Sequence, residues 1–339
     1  MVGHVGTTVL MASRDHSRLD EDDVRVRPSR GKSRPRSKDR PAHSSAETAM
    51  VVAVDRGRWT CVIGTGENER VVTAMRAREM GRKGVVVGDR VELVGDLTGS
   101  PDALARIIRL IPRTTALRRT ADDTDPVERV VVANADQLAV VAALADPAPQ
   151  TRLVDRALVA AYDAGIEPLL ILTKADLADP RPIIDHYAAL DVPIVVRQRG
   201  DALDELRERL QGRTTVLLGA SGVGKSTLVN ALVPTADRAT GTVNAVTGRG
   251  RHTSTSAVAL ELANGGWVID TPGIRSFGIA HVETSRLVHA FSDLEAAAAQ
   301  CPRGCTHEPP HCSLDHWVDE GGSSAERVES LRRLLRSRL

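Results

Sequence analysis

Aromatic residues are nearly absent from this chain. Three Trp, two Tyr and two Phe make up 2% of its 339 residues. Its cores must therefore be packed from Val, Leu, Ile and Ala, and with 42% hydrophobic residues there are enough of them for a folded protein. Long apolar runs are missing too. None approaches the roughly 18 residues of a membrane span, so no membrane partner is expected. Val5 to Ala12 is mildly apolar, but it is short and charges follow it, which argues against a secretory leader. Cysteine is scarce: there are four, and three crowd between residues 301 and 312. Such crowding in a cytosolic chain points to metal ligation before disulfides. Nor is there an excess of either charge. The net value of +1 names no partner by itself.

What is present is strongly segmented. Residues 1–48 are rich in Arg, Ser, Pro and Lys, densely basic from Arg25 to Arg40 and acidic from Asp20 to Asp23. So blocky and apolar-poor a stretch cannot form a core, and it reads as a disordered tail. It is either a solvated leader or an RNA-contacting arm. Residues 49–113 change texture. Short β-rich runs appear at Val51–Val54, Trp59–Ile63, Arg70–Ala74, Arg90–Val94 and Ala105–Ile108, separated by Gly and Asp. Five such runs in about sixty residues predict a small closed β-barrel of the OB-fold type. Arg76, Arg78, Arg82 and Lys83 fall in its middle and suggest a nucleic-acid face.

Residues 114–281 alternate strand and helix. Buried strands are predicted at Leu138–Leu144, Pro168–Leu172, Pro193–Val196 and Thr215–Leu218, with further strands at Ala257–Leu262 and Trp267–Ile269. Helices are predicted at Thr151–Ala164 and Ala202–Leu210. This alternation indicates an α/β domain with a mainly parallel sheet, whose ligands bind at the loops after the strands. Residues 282–339 read as mainly helical, ending in Ala325–Leu339 with Arg327, Arg332, Arg333, Arg336 and Arg338. The chain is thus expected to be a multi-domain protein.

The chemistry lies in four motifs. Gly219-Ala220-Ser221-Gly222-Val223-Gly224-Lys225-Ser226 fits GxxxxGK[ST] between an apolar strand and the helical run that opens with Thr227. Its glycines let backbone N–H groups cradle phosphates, and the helix presents its positive end to them. Lys225 is expected on the β- and γ-phosphates and Ser226 on Mg²⁺. Asp270-Thr271-Pro272-Gly273 follows an apolar strand about forty-five residues later. It would place a carboxylate near Mg²⁺ and the Gly273 N–H near the γ-phosphate. Thr173-Lys174-Ala175-Asp176 ends a buried strand. Asp176 can accept two hydrogen bonds from guanine that adenine cannot donate, and Lys174 would lie along the base plane. Between phosphate loop and Asp270, Thr242–Thr255 is polar and glycine-rich and occupies the place of a nucleotide-sensing switch. Thr253 is chosen there to complete the Mg²⁺ shell. Ile274, after Gly273, cannot orient a water molecule. His252 is the nearest group that could; otherwise it is an ordinary loop histidine.

The fourth motif is the cysteine cluster. Cys301, Cys305, His307 and Cys312 have the tight spacing that lets one loop wrap a tetrahedral Zn²⁺, and His311 could replace His307. Four protein ligands leave no open position, so the ion would be structural. Cys61, far away in a barrel strand, reads as a buried small hydrophobe.

Most telling is the order of the motifs. The base-reading segment at 173–176 precedes the phosphate loop at 219–226, the reverse of ordinary GTPases, so the domain reads as a circularly permuted GTPase. With TKAD, GASGVGKS, GRGRHT, DTPGIR and the Cys-Cys-His-Cys cluster in that order, residues 50–320 closely resemble the ribosome small subunit-dependent GTPase A (RsgA) family. The resemblance implies an OB barrel, a permuted GTPase domain and a zinc-binding helical domain. It implies a GTP/GDP site, with Lys225 and Ser226 on phosphate and Mg²⁺, Asp176 on guanine, Asp270 near Mg²⁺, and His252 catalytic. It also implies one Zn²⁺ on Cys301, Cys305, His307 and Cys312. The implied partners are the small (30S) ribosomal subunit and its rRNA, late in the subunit's maturation, with hydrolysis stimulated by the ribosome. A cytoplasmic monomer is expected. Departures from the family pattern are Thr173 where Asn is usual, Arg197-Gln198-Arg199-Gly200 in place of a serine-alanine pair, and a shortened zinc loop.

Two other readings compete. One is a P-loop ATPase or kinase without ribosome dependence, against which Asp176 argues. The other is a non-catalytic RNA-binding scaffold. The permutation also suggests a mechanical idea: the switch loop and Asp270 lie near the C-terminal end of the domain, a short covalent step from the zinc module.

Overall fold

A computed structural model describes residues 45–80, 84–100, 102–120, 127–234, 257–272, 278–310 and 312–337. Residues 1–44 of the basic tail, Arg82 and Lys83 therefore lie outside the described residues, as does all of the 242–255 loop.

The β-rich runs close into a barrel. Its strands are β1 (Glu47–Asp55), β2 (Arg58–Ile63), β3 (Arg70–Arg76), β4 (Arg90–Gly95) and β5 (Ala105–Leu110). They pair in the order β1–β2–β3–β5–β4, and β4 returns to β1. All contacts are antiparallel except β3–β5. Closure removes the free edges that such short strands would otherwise expose. The interior is aliphatic, with Val51, Val91, Leu93, Ala105 and Ile107 fully buried. Cys61 is buried among them, and burial pushes its thiol up to about 12, as a packed small hydrophobe requires. Trp59 satisfies its indole by donating to the Val85 carbonyl at 3.1 Å. Asp89, fully buried, receives two bonds from Arg113 at 2.7 and 2.8 Å and one from the Val86 N–H at 2.8 Å. A buried carboxylate is tolerable only with such complete pairing.

A hairpin that the sequence reading did not foresee follows, β6 (Ala116–Arg119) and β7 (Arg129–Ala133). The α/β domain then runs β8 (Gln137–Ala143), α1 (Thr151–Ala164), β9 (Glu167–Thr173), α2 (Arg181–Tyr187), β10 (Ile194–Val196) and α3 (Asp204–Leu210). It continues with β11 (Thr214–Leu218), α4 (Lys225–Leu232), β12 (Val258–Glu261) and β13 (Trp267–Asp270). Strands order as β10-β9-β8-β11-β13-β12, parallel throughout except β12. The expected mainly parallel sheet is therefore present. At its edge β12 meets β1 (Ala53 opposite Val258), so the barrel and the sheet form one continuous 11-stranded ladder. Every residue of β8 is buried, as a central parallel strand covered on both faces must be.

Four short helices close the chain: α5 (Thr284–His289), α6 (Ser292–Ala298), α7 (Ser313–Asp319) and α8 (Ala325–Arg336). Ser324 caps α8 by accepting from the Arg327 N–H at 3.1 Å. Val328, Leu331 and Leu334 bury the inner face of α8, while its arginines grip the α/β domain. Arg327 donates to the Ala189 carbonyl at 2.7 Å, pairs with Asp293 at 3.0 Å and lies 4.6 Å from the Phe291 ring centre. Arg333 stacks over Tyr187 at 5.2 Å and faces the buried Asp155 at 3.5 Å. Among the described residues, no helix is long and apolar enough to cross a membrane.

Candidate functional site

Strand β11 delivers the phosphate loop to the C-terminal end of the sheet, between β8 and β13. Gly219 is required by packing: a Cβ there would lie 2.5 Å from the Val141 carbonyl of β8. Gly222 and Gly224 are required by conformation, with φ of +82° and +90°. The loop then turns into α4, whose first residues are Lys225, Ser226 and Thr227. Ala220 is half-buried and Val223 anchors beneath the loop, whereas Ser221, Gly222, Ser226 and Thr227 are exposed. Backbone N–H groups at the open start of a helix beside exposed hydroxyls make an anion site.

Lys225 is buried, with 8% of its surface exposed. Its ammonium donates to Asp270 Oδ1 at 2.6 Å and to the Thr271 carbonyl. Thr271, itself buried, donates its hydroxyl to the Leu217 carbonyl at 2.7 Å and so fixes the start of the loop after β13 to β11. The ammonium at the end of the glycine loop and the carboxylate at the end of β13 thus lie side by side. Gly273 and Ile274, together with His252 and Thr253, lie outside the described residues.

Strand β9 ends in the base-reading segment. Thr173 is buried, and its hydroxyl donates to the Val223 carbonyl at 2.6 Å. The threonine therefore ties β9 to the phosphate loop directly. Lys174 adopts φ +60° and donates to the Asp146 carbonyl. Asp176 is exposed at the tip of the same turn. Arg197 opens the loop after β10, which the sequence reading named as a departure from the family's serine-alanine pair. The Ala175 N–H donates to the Arg197 carbonyl at 3.1 Å, which places that loop beside the base-reading turn. Its sequence signals were the missing serine-alanine pair and its position after a parallel strand next to β9.

The cysteine cluster forms a compact set. The ligand atoms of Cys301, Cys305, His307 and Cys312 all lie within 4.8 Å of one another. Cys301 Sγ is 3.7 Å from Cys312 Sγ and 3.7 Å from His307 Nδ1, and Cys312 Sγ is 3.8 Å from that nitrogen. A tetrahedral Zn²⁺ with Zn–S of about 2.3 Å and Zn–N of about 2.0 Å needs ligand separations of about 3.5–3.8 Å, so the donor set fits. His307 is buried, and burial with the nearby Arg332 holds its imidazole below the usual histidine range, in the neutral form a metal needs. His311, the alternative ligand, lies outside the described residues. Arg332 donates to the His307 carbonyl at 2.7 Å and pairs with Asp315 at 2.8 Å, fastening the loop to α7 and α8. On the barrel, Arg76 is half-buried, 5.9 Å from the centre of Trp59, and Arg78 is exposed.

Comparison with known proteins agrees with this geometry. The family model described as RsgA GTPase matches residues 110–280. A protein of Ectopseudomonas mendocina named small ribosomal subunit biogenesis GTPase RsgA is 39% identical over 241 residues, covering 68% of this chain and 69% of its own. One of the same name from Pseudomonas syringae pv. tomato is 37% identical over 263 residues, 75% of each. Among solved structures, YjeQ from Thermotoga maritima superposes with a TM-score of 0.64 at 27% identity, over 86% of this chain and 98% of that one. YloQ, described as a circularly permuted GTPase, gives a TM-score of 0.62 at 23% identity over 88% and 97%, a likeness of fold.

Proposed function

The chain belongs to the RsgA GTPase family, and from that premise we propose that it hydrolyses GTP in the late maturation of the small ribosomal subunit, with the subunit stimulating hydrolysis. That it is a GTP hydrolase follows from the family itself. The observation that carries the site assignment is the convergence of Lys225 and Asp270, 2.6 Å apart, beneath a glycine loop tied to the base-reading strand through Thr173.

In this reading the N–H groups of Gly219–Gly224 and the Lys225 ammonium hold the phosphates. Ser226, with Thr227 beside it, and Asp270 are placed to meet Mg²⁺, and Asp176 reads the guanine. Mg²⁺ would supply charge neutralisation at the γ-phosphate. Thr253 would complete its shell, the Gly273 N–H would meet the γ-phosphate, and His252 would orient the attacking water. Cys301, Cys305, His307 and Cys312 would hold one Zn²⁺. The working divisions are a basic tail to 48, the barrel 49–113, the permuted GTPase domain 114–281 and the zinc module 282–339. We place the protein in the cytoplasm, as a monomer that uses its barrel face and basic tail on rRNA. The relatives' names support the ribosomal assignment.

The test is GTP turnover with and without small ribosomal subunits. Alone, the rate is expected near the Ras-like scale, on the order of 10⁻⁴ s⁻¹. Subunits should raise it more than about tenfold, and Lys225→Ala should abolish both rates. His252→Ala should retain nucleotide affinity and lose the stimulated turnover. A metal-replete protein whose turnover ignores small subunits would refute the ribosome-dependent reading.

A further inference from the structure

The loop after β10 departs from the family pattern, and its geometry shows what stands in the missing residues' place. Strands β9 and β10 are parallel neighbours, with Ile194 opposite Leu170 and Val196 opposite Leu172. Their following loops therefore leave the same end of the sheet, side by side. The backbone of Arg197 joins them twice: its N–H donates to the Leu172 carbonyl at 2.8 Å, and its carbonyl accepts from Ala175 at 3.1 Å.

The Arg197 side chain turns inward. Only 8% of the residue is exposed. One guanidinium nitrogen donates to the Ala202 carbonyl at 2.7 Å and another to the Asp201 carbonyl at 2.8 Å. Asp201 in turn accepts from the Gln198 N–H at 2.8 Å. The segment 197–202 is thus a closed loop wound around one planar cation, with Gly200 at φ +95° providing the tight turn. Burying a guanidinium is costly unless its donors are satisfied, so this arginine is no passive filler. Gln198 and Arg199 remain exposed on the outer side of the loop, beside the turn that carries Asp176.

We infer that Arg197 is a positioning residue for guanine recognition: it fixes the second wall of the base pocket at a set distance from the Asp176 turn. It meets neither base nor phosphate. It acts through the two loops it holds, replacing with a buried fork what the absent serine-alanine pair would supply. The Gln198 N–H is already spent on Asp201, so the wall is held rigid before the base arrives. A loop that must be ordered on binding costs affinity, whereas a preorganised one does not. The inference rests on the guanine site proposed above.

Competition of GDP, IDP and ADP against a fluorescent GDP on the full chain tests it. In Arg197→Ala the GDP-over-ADP preference should fall about tenfold, the equivalent of about 1.4 kcal/mol. ADP affinity should stay near the wild-type value, because the phosphate loop is untouched. Arg197→Lys, which can reach one carbonyl at a time, should fall between. A merely structural role would lower the thermal midpoint and weaken GDP and ADP alike. Asp201→Ala removes only the acceptor of the Gln198 N–H, and it decides the matter should Arg197→Ala fail to fold; about a threefold loss of preference is expected, from one surface hydrogen bond. Wild-type protein that binds ADP as well as GDP would overturn the guanine-site reading itself. Wild-type preference for GDP kept intact in the folded variants would overturn the role of Arg197 alone.

Discussion

Thr173 occupies the first position of the base-reading segment, where the family usually has Asn. Its hydroxyl carries one hydrogen, and the partner is the Val223 carbonyl at 2.6 Å. The residue thus links the glycine loop to the strand that presents Asp176. Removing the donor leaves a carbonyl in a buried setting without its partner, which costs about 1–3 kcal/mol. Thr173→Ala should therefore lower the thermal midpoint and weaken GDP binding about tenfold. Thr173→Ser, which keeps the hydroxyl, should restore most of both. Fluorescent-GDP titration beside thermal denaturation checks this, and an alanine variant with wild-type affinity would remove the tie from the site. The sequence marked Thr173 as the first residue of the base-reading segment and a departure from Asn; its partner, fifty residues away along the chain, is one that no local pattern could indicate.

At the scale of elements, the zinc module is the clearest case of a fold held by a few polar anchors. Cys312 lies just ahead of α7, Arg332 on α8 binds the His307 carbonyl, and Cys301 lies three residues beyond the end of α6. The metal loop is thus the hub on which three short helices converge, none long enough to be stable alone. Stripping the metal with a chelator should lower the thermal midpoint and speed amide exchange in 313–336, while GDP affinity stays within about twofold, because no phosphate or base contact passes through the module. Colorimetric zinc release during the titration should count one ion per chain. Unaltered exchange in α7 and α8 after complete release would exclude a structural ion. These helices also show where sequence reading stops. Phosphate loop, base segment and cysteine cluster were legible because each is a local pattern with fixed spacing. The barrel strands were legible from β-rich runs between glycines. Hairpin β6–β7 was not: Arg118, Arg119 and Arg129 hide its period, and long-range pairing makes the strand. The arginines of α8 look in sequence like a solvated basic face. Arg327, Arg332 and Arg333 are instead consumed by Asp293, Asp315, the buried Asp155 and two aromatic rings, contacts that only tertiary structure creates.

For the whole molecule, the reversed motif order sets which parts feel the γ-phosphate. The chain leaves Asp270 toward the zinc module, a short covalent route, but packing adds another direction. Thr120, at the end of the hairpin, donates its N–H to the Gly278 carbonyl at 3.0 Å, just beyond the segment that follows Asp270. The other hairpin strand reaches the barrel: the Ala133 N–H donates to the Val87 carbonyl at 3.0 Å, and the Asn134 amide to the Gly88 carbonyl at 2.8 Å. Gly88 packs so closely that a Cβ would lie 2.0 Å from the Ala133 carbonyl, so no side chain fits between the hairpin and the barrel there. Strand β12, which follows the 242–255 segment, touches β1 at Ala53. Both segments proposed to flank the γ-phosphate thus lead into the barrel. The zinc module is clamped through α8 to α1 and α2, on the base-reading half of the sheet. A γ-phosphate that orders the switch segments should therefore stiffen the hairpin–barrel junction and leave the α8 clamp unaltered. Amides bonded across a contact exchange when it opens, so the Ala133 N–H reports on the hairpin–barrel junction and the Thr120 N–H on the contact between the hairpin and Gly278. With a non-hydrolysable GTP analogue in place of GDP, their exchange should slow about tenfold for about 1.4 kcal/mol of added protection, with no change at Val328–Leu335. Slowing confined to 257–280 would show that the signal stops at the nucleotide. Slowing at α8 without the hairpin would show that it travels by the covalent route instead.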